Sequence, residues 1–335
     1  MAQPTMADIA THLGISRPLV SIVLRGAPGA RPETRERVLQ AARELGYTPH
    51  QGARSLRQTR SQHLGVSFVP VHASEPEIVE SVYAAAAVHG YQVVLSAQTP
   101  TRDQQQTVEE LLSYRCAAIL LIGSELRHGE LKALSNRAGV PTVLVGASNR
   151  NSNYDVVRSA GDHGIALAVG HVYELGHRRL AYIHCPALPS GPIRLRGFHR
   201  AAERTGISAE VIEVLDHGYT EEAGSEAARR LLESPDLPTA VVAGNDQQAI
   251  GAMWVLTRAG VRIPEDVSIT GFDDNRLARL SAVDLTTARQ DPEQMGQAAV
   301  AAALRRIKQP DLAPTLVVIE PRLQARTSTA TPRSQ

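Results

Sequence analysis

The chain has few of the features that mark disulfide-stabilised or membrane-spanning proteins. Its 335 residues include two cysteines, Cys116 and Cys185. Both stand in apolar surroundings without the spacing of a metal knuckle or a redox pair, so we expect reduced core thiols. No apolar run reaches the roughly 18 to 20 residues that cross a bilayer. The N-terminus lacks the basic-then-apolar pattern of a signal peptide. We therefore expect a cytoplasmic protein.

Residues arranged for catalysis or metal binding are also scarce. Asp273 and Asp274 are adjacent, but neighbouring side chains after a strand usually point apart, which argues against a paired acid–base site. The twelve histidines are scattered without ligand spacing, and structural or surface positions are favoured over metal ligation; they include His163, His171, His177 and His184. The sequence therefore predicts neither an enzyme nor a bound metal or cofactor.

Charge is divided unevenly along the chain. From Met1 to Gln62, nine arginines stand against four acidic residues, a net charge of +5, whereas the remainder carries 26 basic and 30 acidic residues. A basic head on a mildly acidic body is typical of a domain that meets a polyanion. A solvated basic face would give the same balance, so charge alone does not decide.

Three short helices are predicted in the basic head. Thr5 can cap the first, Met6–Leu13, with Asp8 three positions on as in a capping box, and Gly14 can end it. Ser16 can cap the second helix. The third begins near residue 32 and ends at residue 46. The tight glycine-containing turn between the first two predicts a helix-turn-helix.

The second and third helices divide their side chains between packing and exposure. Apolar residues recur at helical spacing in both, and we expect them to pack inward: Leu19, Val20, Val23, Leu24, Val38, Leu39, Ala42 and Leu45. The second helix would then offer Arg17, Pro18 and Ile22 to a groove of DNA.

Beyond the head, apolar strand-like runs alternate with helical stretches, which is the pattern of parallel sheets in doubly wound α/β units. The runs are LGVSFV, YQVVLS, AAILLIG, PTVLVG, RLAYIHC, TAVVAG and VSITGF. They are too many for one such sheet.

Several motifs occur in the order and at the distances of a known family. They are TMADIATHLGISRPLVSIVLRG, RPETRERVLQAARELGYTPH, ARSL, GHVYELGHRRLAYI, RLRGF, GNDQQAIGAM, ITGFDDN and LTTARQD. Over nearly its whole length the chain thereby resembles the LacI/GalR (lactose-repressor/galactose-repressor) family of bacterial transcriptional regulators. The resemblance implies an N-terminal all-α helix-turn-helix head plus an α/β core of two doubly wound parallel-sheet subdomains, like the periplasmic binding proteins.

Domain boundaries follow from the same resemblance. Residues 1–49 would form the DNA-binding domain, 50–61 a hinge helix, 62–326 a core for effector binding and dimerisation, and 327–335 a polar tail. The tail has no leucine heptad, so no tetramerising helix is expected. Subdomain 1 of the core would take about 62–158 and 290–320, and subdomain 2 about 159–289 and 321–326.

Contacts with DNA are implied residue by residue. Arg17 can fork onto a guanine, Pro18 offers apolar contact, and Ile22 can meet a thymine methyl. Leu56 in the hinge would wedge into the minor groove, although a plain linker of helical propensity is an alternative for this segment. Phosphate contacts would come from Thr5, Ser16, Ser21, Arg25 and Thr34, and the other hinge contacts from Ala53, Arg54 and Arg57.

The family's ligand lies between the two subdomains. The matching positions are Arg194, Asn245, Asp273 and Gln290, with Pro70, His72 and Ser74 on the first-subdomain wall. Carboxylate, amide and guanidinium groups suit a polyol, which favours a sugar. A nucleobase or another metabolite is an alternative. The acidic residue that many sugar-responsive relatives carry after the first crossover is replaced here by residues 160 and 161, alanine and glycine.

The combined pattern predicts a homodimeric repressor that binds a palindromic DNA operator and a small-molecule effector. The favoured effector is a carbohydrate, a sugar or sugar derivative, and no membrane partner is expected. Two heads on one dimer require two half-sites related by a two-fold axis. A cytoplasmic sugar-binding protein without regulatory DNA binding is the alternative function, and the basic helix-turn-helix argues against it.

Overall fold

The computed structural model describes residues 4–24, 26–47, 61–124, 126, 128–146, 153–186, 188–216 and 218–333. The chain divides into two compact units, Met1–Ser61 and Gln62–Gln335. None of the helices in the described ranges combines the length and hydrophobicity that a bilayer crossing requires.

The head contains helices α1 (Met6–Leu13), α2 (Arg17–Leu24) and α3 (Pro32–Glu44). The predicted capping box is confirmed: the Thr5 backbone N–H donates to the Asp8 carboxylate at 2.7 Å, and the Thr5 hydroxyl accepts from the Asp8 N–H. Gly14 ends α1 with a φ of 65°, in the left-handed region that glycine adopts without strain. Local sequence chemistry therefore sets the turn before α2.

The three helices bury one small apolar core, formed by Ile9, Ala10, Val20, Val23, Val38, Ala41 and Ala42. The expectation for Leu39 is wrong, because its side chain is 42% exposed while Ala41 is buried. The inward face of α3 follows the spacing 38, 41, 42 and 45, and position 39 falls outside that stripe. Leu19 and Leu24 are half-buried, and Leu24 packs against this core.

The second unit alternates strands and helices along the chain. In order they are β1 (His63–Phe68), α4 (Glu75–Val88), β2 (Gln92–Ala97), α5 (Gln104–Ser113), β3 (Ala118–Ile122), α6 (His128–Ala138), β4 (Thr142–Val145), β5 (Asp155–Ser159), α7 (Gly161–Glu174), β6 (Arg179–His184), α8 (Gly191–Thr205), β7 (Ser208–Glu213), α9 (Glu221–Leu232), β8 (Ala240–Ala243), α10 (Asp246–Arg258), β9 (Ser268–Asp273), β10 (Thr286–Arg289), α11 (Pro292–Lys308), β11 (Leu316–Ile319) and β12 (Arg322–Gln324).

These elements build two sheets. The first has the order β11-β5-β4-β3-β1-β2 and the second β12-β10-β9-β8-β6-β7. Every pairing is parallel except that of β10 with β12. Apolar clusters lie on both faces of each sheet, which is the burial that parallel sheets require.

The chain passes between the two sheets after β5, after β10 and after β11. Because parallel strands in each sheet end at the same edge, the loops after these strands meet where ligands bind in open α/β sheets. The loops that follow β1, β3, β6, β8 and β9 supply the cleft described below.

The segment after β12, predicted as a polar tail, packs on the second subdomain. Ser328 is buried, and its hydroxyl donates to the Ile269 carbonyl at 2.6 Å. The His177 ring bonds the Ala330 carbonyl and the Thr239 hydroxyl, so this histidine has the structural role expected of it. Small polar residues suit this segment because their hydroxyl groups pair with the backbone of β9 and β10.

Candidate functional site

The predicted base-reading residues all lie on α2. Arg17 and Pro18 are exposed at its first turn, whereas Ile22 is half-buried. Among the predicted phosphate contacts, Ser16 is exposed and Ser21 and Thr34 are half-buried. The remaining predicted DNA contacts lie outside the described residues: Arg25, Ala53, Arg54, Leu56 and Arg57.

Thr5, another predicted phosphate contact, already donates hydrogen bonds to a side chain of its own helix. Its hydroxyl donates to the Asp8 carboxylate at 2.8 Å, and these bonds lower the pKa of Asp8. A phosphate at this helix end would compete with the Asp8 carboxylate for the same donors.

Arg35 is a positioning residue of the head that the sequence analysis did not predict. From α3, its guanidinium donates to the Ala27 carbonyl at 2.7 Å and to the Val23 carbonyl at 3.5 Å. These bonds tie the loop after α2 to α3. The side chain therefore positions the helix that carries Arg17.

Replacement of Arg35 by alanine should loosen α2. Loss of a charge-assisted bond at a half-buried site costs about 1 kcal/mol, so amide exchange in α2 should accelerate roughly fivefold. Hydrogen exchange of peptides covering residues 17–24 in the full chain measures this. Arg43→Ala is the matched control, because Arg43 donates within its own helix to the Leu39 carbonyl. Equal exchange in both variants would show that the loop is held by other contacts.

A cavity of about 100 Å³ lies between the two subdomains. Six of the seven predicted effector residues line it: His72, Ser74, Arg194, Asn245, Asp273 and Gln290. Pro70 is not among its lining residues and is exposed at the turn after β1. The volume is below the roughly 300 Å³ of typical small-molecule sites.

Arg194 is the central side chain of the second-subdomain wall. Its guanidinium donates to the Gly244 carbonyl at 2.6 Å and to the Asp273 carboxylate at 3.4 Å. It also lies 3.9 Å from the ring centroid of Phe272 and 4.9 Å from that of Tyr219. Aromatic faces and a carboxylate together stabilise a buried cation. Arg194 is thus held rigidly at the cleft.

Asp273 adopts a backbone conformation that is uncommon for a residue with a side chain. Its φ is 125°, and that of Asp274 is 56°; such strain is frequent at ligand sites. Gln290 donates to the Asp273 carboxylate at 2.5 Å, whereas Asp274 pairs with Arg326 at 2.6 Å. The neighbouring carboxylates therefore have separate partners, as expected, and do not form an acid–base pair.

Burial raises the pKa of Asp273, and the Arg194 charge opposes that shift. Behind it, burial raises the pKa of Asp246 well above its ordinary value, and the nearby Asp273 charge adds to this. The Asp246 carboxylate accepts from the Thr287 hydroxyl at 2.5 Å and from the Asn275 N–H at 2.8 Å. These bonds fix the position of the Asp246 carboxylate behind Asp273.

Asn245 has two structural tasks at the start of α10. Its side-chain oxygen accepts from the Gln248 N–H at 3.0 Å, and its amide donates to the Tyr219 carbonyl at 3.2 Å. The helix cap therefore orients this residue at the cleft.

Contacts across the cleft join the two subdomains. The Gln247 side chain accepts from the Ala73 N–H at 2.9 Å and donates to the Val71 carbonyl at 3.2 Å. Arg279 pairs with Glu77 on the opposite subdomain. Sequence analysis did not predict these residues, because each is an ordinary polar position on its own helix or loop. They hold the two subdomains together across the cleft.

The described residues contain no cluster of three or more histidine, cysteine or acidic side chains that could hold a metal ion. Cys116 and Cys185 are free thiols in the core, as expected. Burial raises the pKa of the Cys116 thiol to about 11, so this cysteine is protonated and unreactive near neutral pH.

Comparison with known proteins matches both parts of the chain. The family profile for bacterial regulatory proteins of the lacI family matches residues 5–50, and a periplasmic binding protein-like domain matches residues 169–329. The HTH-type transcriptional repressor PurR of Haemophilus influenzae (strain PittEE) is 33% identical over 311 residues, 92% of each chain.

Solved structures agree with this comparison. A LacI transcriptional regulator from a Rhodococcus species is 39% identical, with a TM-score of 0.77 over 81% of this chain and 100% of that one. The lac repressor dimer bound to operator and the anti-inducer ONPF is 27% identical, with a TM-score of 0.83 over 98% of this chain and 100% of that one.

The helix-turn-helix and the two-sheet core thus define a DNA-binding transcriptional repressor, which is not an enzyme. The chain belongs to the LacI family of bacterial regulatory proteins.

Proposed function

We propose that this repressor binds a palindromic operator as a homodimer and that a small molecule in the cleft changes its operator affinity. The observation that carries the proposal is the convergence on one cavity of Arg194 and Asp273 from one subdomain, His72 and Ser74 from the other, and Gln290 from the crossover between them. The similar lac repressor structure, a dimer with operator and an anti-inducer, supports the same arrangement here.

The head would act through the predicted contacts. Arg17, Pro18 and Ile22 would read base edges, and the exposure of Arg17 and Pro18 on α2 supports this. Residues 1–49 would form the operator-binding domain and residues 50–61 the hinge, with a Leu56 wedge in the minor groove. Cleft closure in residues 62–326 would bias the hinge, because a ligand shifts such an equilibrium only by preferring one state.

The effector proposed is a sugar or sugar derivative. The cleft offers a carboxylate, amides and hydroxyl groups, which together match the dense hydroxyl groups of a polyol. A nucleobase would instead depend on stacking against Tyr219, and the ring of that residue already lies against Arg194.

Operator binding with a panel of small molecules tests this proposal. Operator fragments are first selected from genomic DNA, and fluorescence anisotropy then measures affinity with sugars, nucleosides and nucleobases. A sugar that changes operator affinity is the expected result. A response only to nucleobases would keep the repressor mechanism and overturn the sugar assignment.

Operator affinity should also fall steeply with salt concentration. The +5 head should neutralise several phosphates, and each contributes a slope of about 0.9 to the plot of log affinity against log salt. Titrations between low and physiological salt measure this slope. Full affinity of a monomer for a single half-site, or an affinity independent of salt, would contradict the proposed dimeric contact.

A further inference from the structure

A buried carboxylate, Glu75, lines the effector cleft from the first subdomain. Glu75 is the first residue of α4 and is 4% exposed. One carboxylate oxygen accepts from the Val69 N–H at 2.6 Å, and the other lies 2.7 Å from Nδ1 of His72. Since each carboxylate oxygen can accept about two hydrogen bonds, acceptor capacity is left over for a ligand.

The fold makes room for this carboxylate at Gly123. A Cβ at this position would lie 2.0 Å from the nearer Glu75 oxygen, and the φ of Gly123 is +63°. A side chain there would displace the carboxylate from the cleft. The absence of a side chain at Gly123, directly after β3, therefore allows the Glu75 carboxylate to lie at the cleft.

Ser124, the next residue, adds a second acceptor to the same wall. Its hydroxyl donates to the Gln104 side-chain oxygen at 2.7 Å. Because that hydrogen bond uses the only proton of the hydroxyl, Ser124 can offer a ligand only its lone pairs. Glu75 and Ser124 thus face the cavity as acceptors.

On the opposite wall, the Arg194 guanidinium is already paired with a carboxylate, although its buried Nε has no hydrogen-bond partner. Arg194 is engaged by the Gly244 carbonyl and the Asp273 carboxylate, and lies against two aromatic rings. An anionic ligand would meet the Glu75 and Asp273 carboxylates, and the Arg194 charge that could attract it is already balanced by Asp273. Like charges in such a buried site are strongly unfavourable.

We propose that Glu75 is a specificity-determining residue of the effector site: it accepts hydrogen bonds from a neutral, hydroxyl-rich ligand and excludes the phosphorylated form of the same ligand. This inference rests on the proposed effector function of the cleft. Beyond that function, it specifies that the ligand is neutral and names Glu75 as the residue that selects it.

Matched pairs of compounds test the proposal. The probes are pentoses, hexoses and nucleosides, each with its monophosphate, and thermal shift and operator release are measured with the full chain. For at least one pair, the neutral compound should bind more than about a hundredfold more tightly than its monophosphate. In Glu75→Gln this ratio should shrink at least about tenfold, since the charge is removed at constant shape.

Two further variants separate specificity from stability. Gly123→Ala should reduce the ratio as Glu75→Gln does, because it displaces the carboxylate without removing it. Glu80→Gln, an exposed position on the same helix, is the matched control and should leave the ratio unchanged.

A ratio that is the same in Glu75→Gln and the parent overturns the inference. A monophosphate that binds better and releases the operator also overturns it, but leaves the proposed effector function intact. If no compound alters operator affinity, both fail.

Discussion

Asp273→Asn should raise the ligand concentration needed to change operator affinity by roughly 10- to 100-fold, or about 1.5–3 kcal/mol. Arg194 and Gln290 both donate to the Asp273 carboxylate and orient it at the cleft. Asparagine keeps the shape and one acceptor oxygen, so the fold retains both bonds. What the ligand loses is a hydrogen bond to a charged group.

Arg194→Ala should abolish the effect of the ligand on operator affinity, for a different physical reason. Removal of the guanidinium leaves the Asp273 carboxylate with Gln290 alone, so its orientation is lost. Asp311→Asn is the matched control, since Asp311 is an exposed carboxylate beyond α11. Ligand-free operator affinity, measured in the same titration, separates loss of ligand binding from loss of the folded repressor. A response that survives both substitutions would place the effector elsewhere.

Arg17→Ala should lower operator affinity by about 1 to 3 kcal/mol and relax the preference at one symmetric base pair. The side chain is exposed at the first turn of α2, and a guanidinium can bond O6 and N7 of a guanine at once. Selection of binding sites from a random library measures the preference position by position. The change should be confined to the pair that Arg17 reads.

Arg25→Ala provides the comparison for Arg17. A phosphate contact carries no sequence information, so this variant should weaken all sequences alike and leave the selected profile unchanged. Identical profiles for Arg17→Ala and the parent would mean that another residue of α2 reads the guanine, and would falsify the proposed register.

Much of the head was predictable because its determinants are short-range. The capping box joins Thr5 to a residue three positions away, and Gly14 ends the helix by its own backbone preference. Leu39 shows the limit of such reasoning. An apolar residue next to an inward position cannot be assigned to one face until the partner helices fix which side of α3 is covered.

Effector residues were predicted where a motif carried them and missed where packing alone defined them. Asp273 ends one strand and Gln290 follows another, both in recognisable stretches, and both reach the cleft. Glu75 is the first residue of α4. An acidic residue in the first turn of a helix is common because it complements the helix dipole, so it does not by itself indicate a binding site. Only the missing Cβ of Gly123 shows why this carboxylate is buried at the cleft.

The sequence by itself determined the helices of the head, the division of charge and the alternation of strands and helices, because these depend on residues within a few positions of one another. The tertiary structure alone decided the partners in the cleft. Arg194 meets Asp273 across 79 residues, and Gln247 meets Val71 across 176. Such contacts form because the chain crosses three times between the two sheets and brings the ends of their strands together. The spacing of side chains along the sequence does not reveal which distant residues will meet.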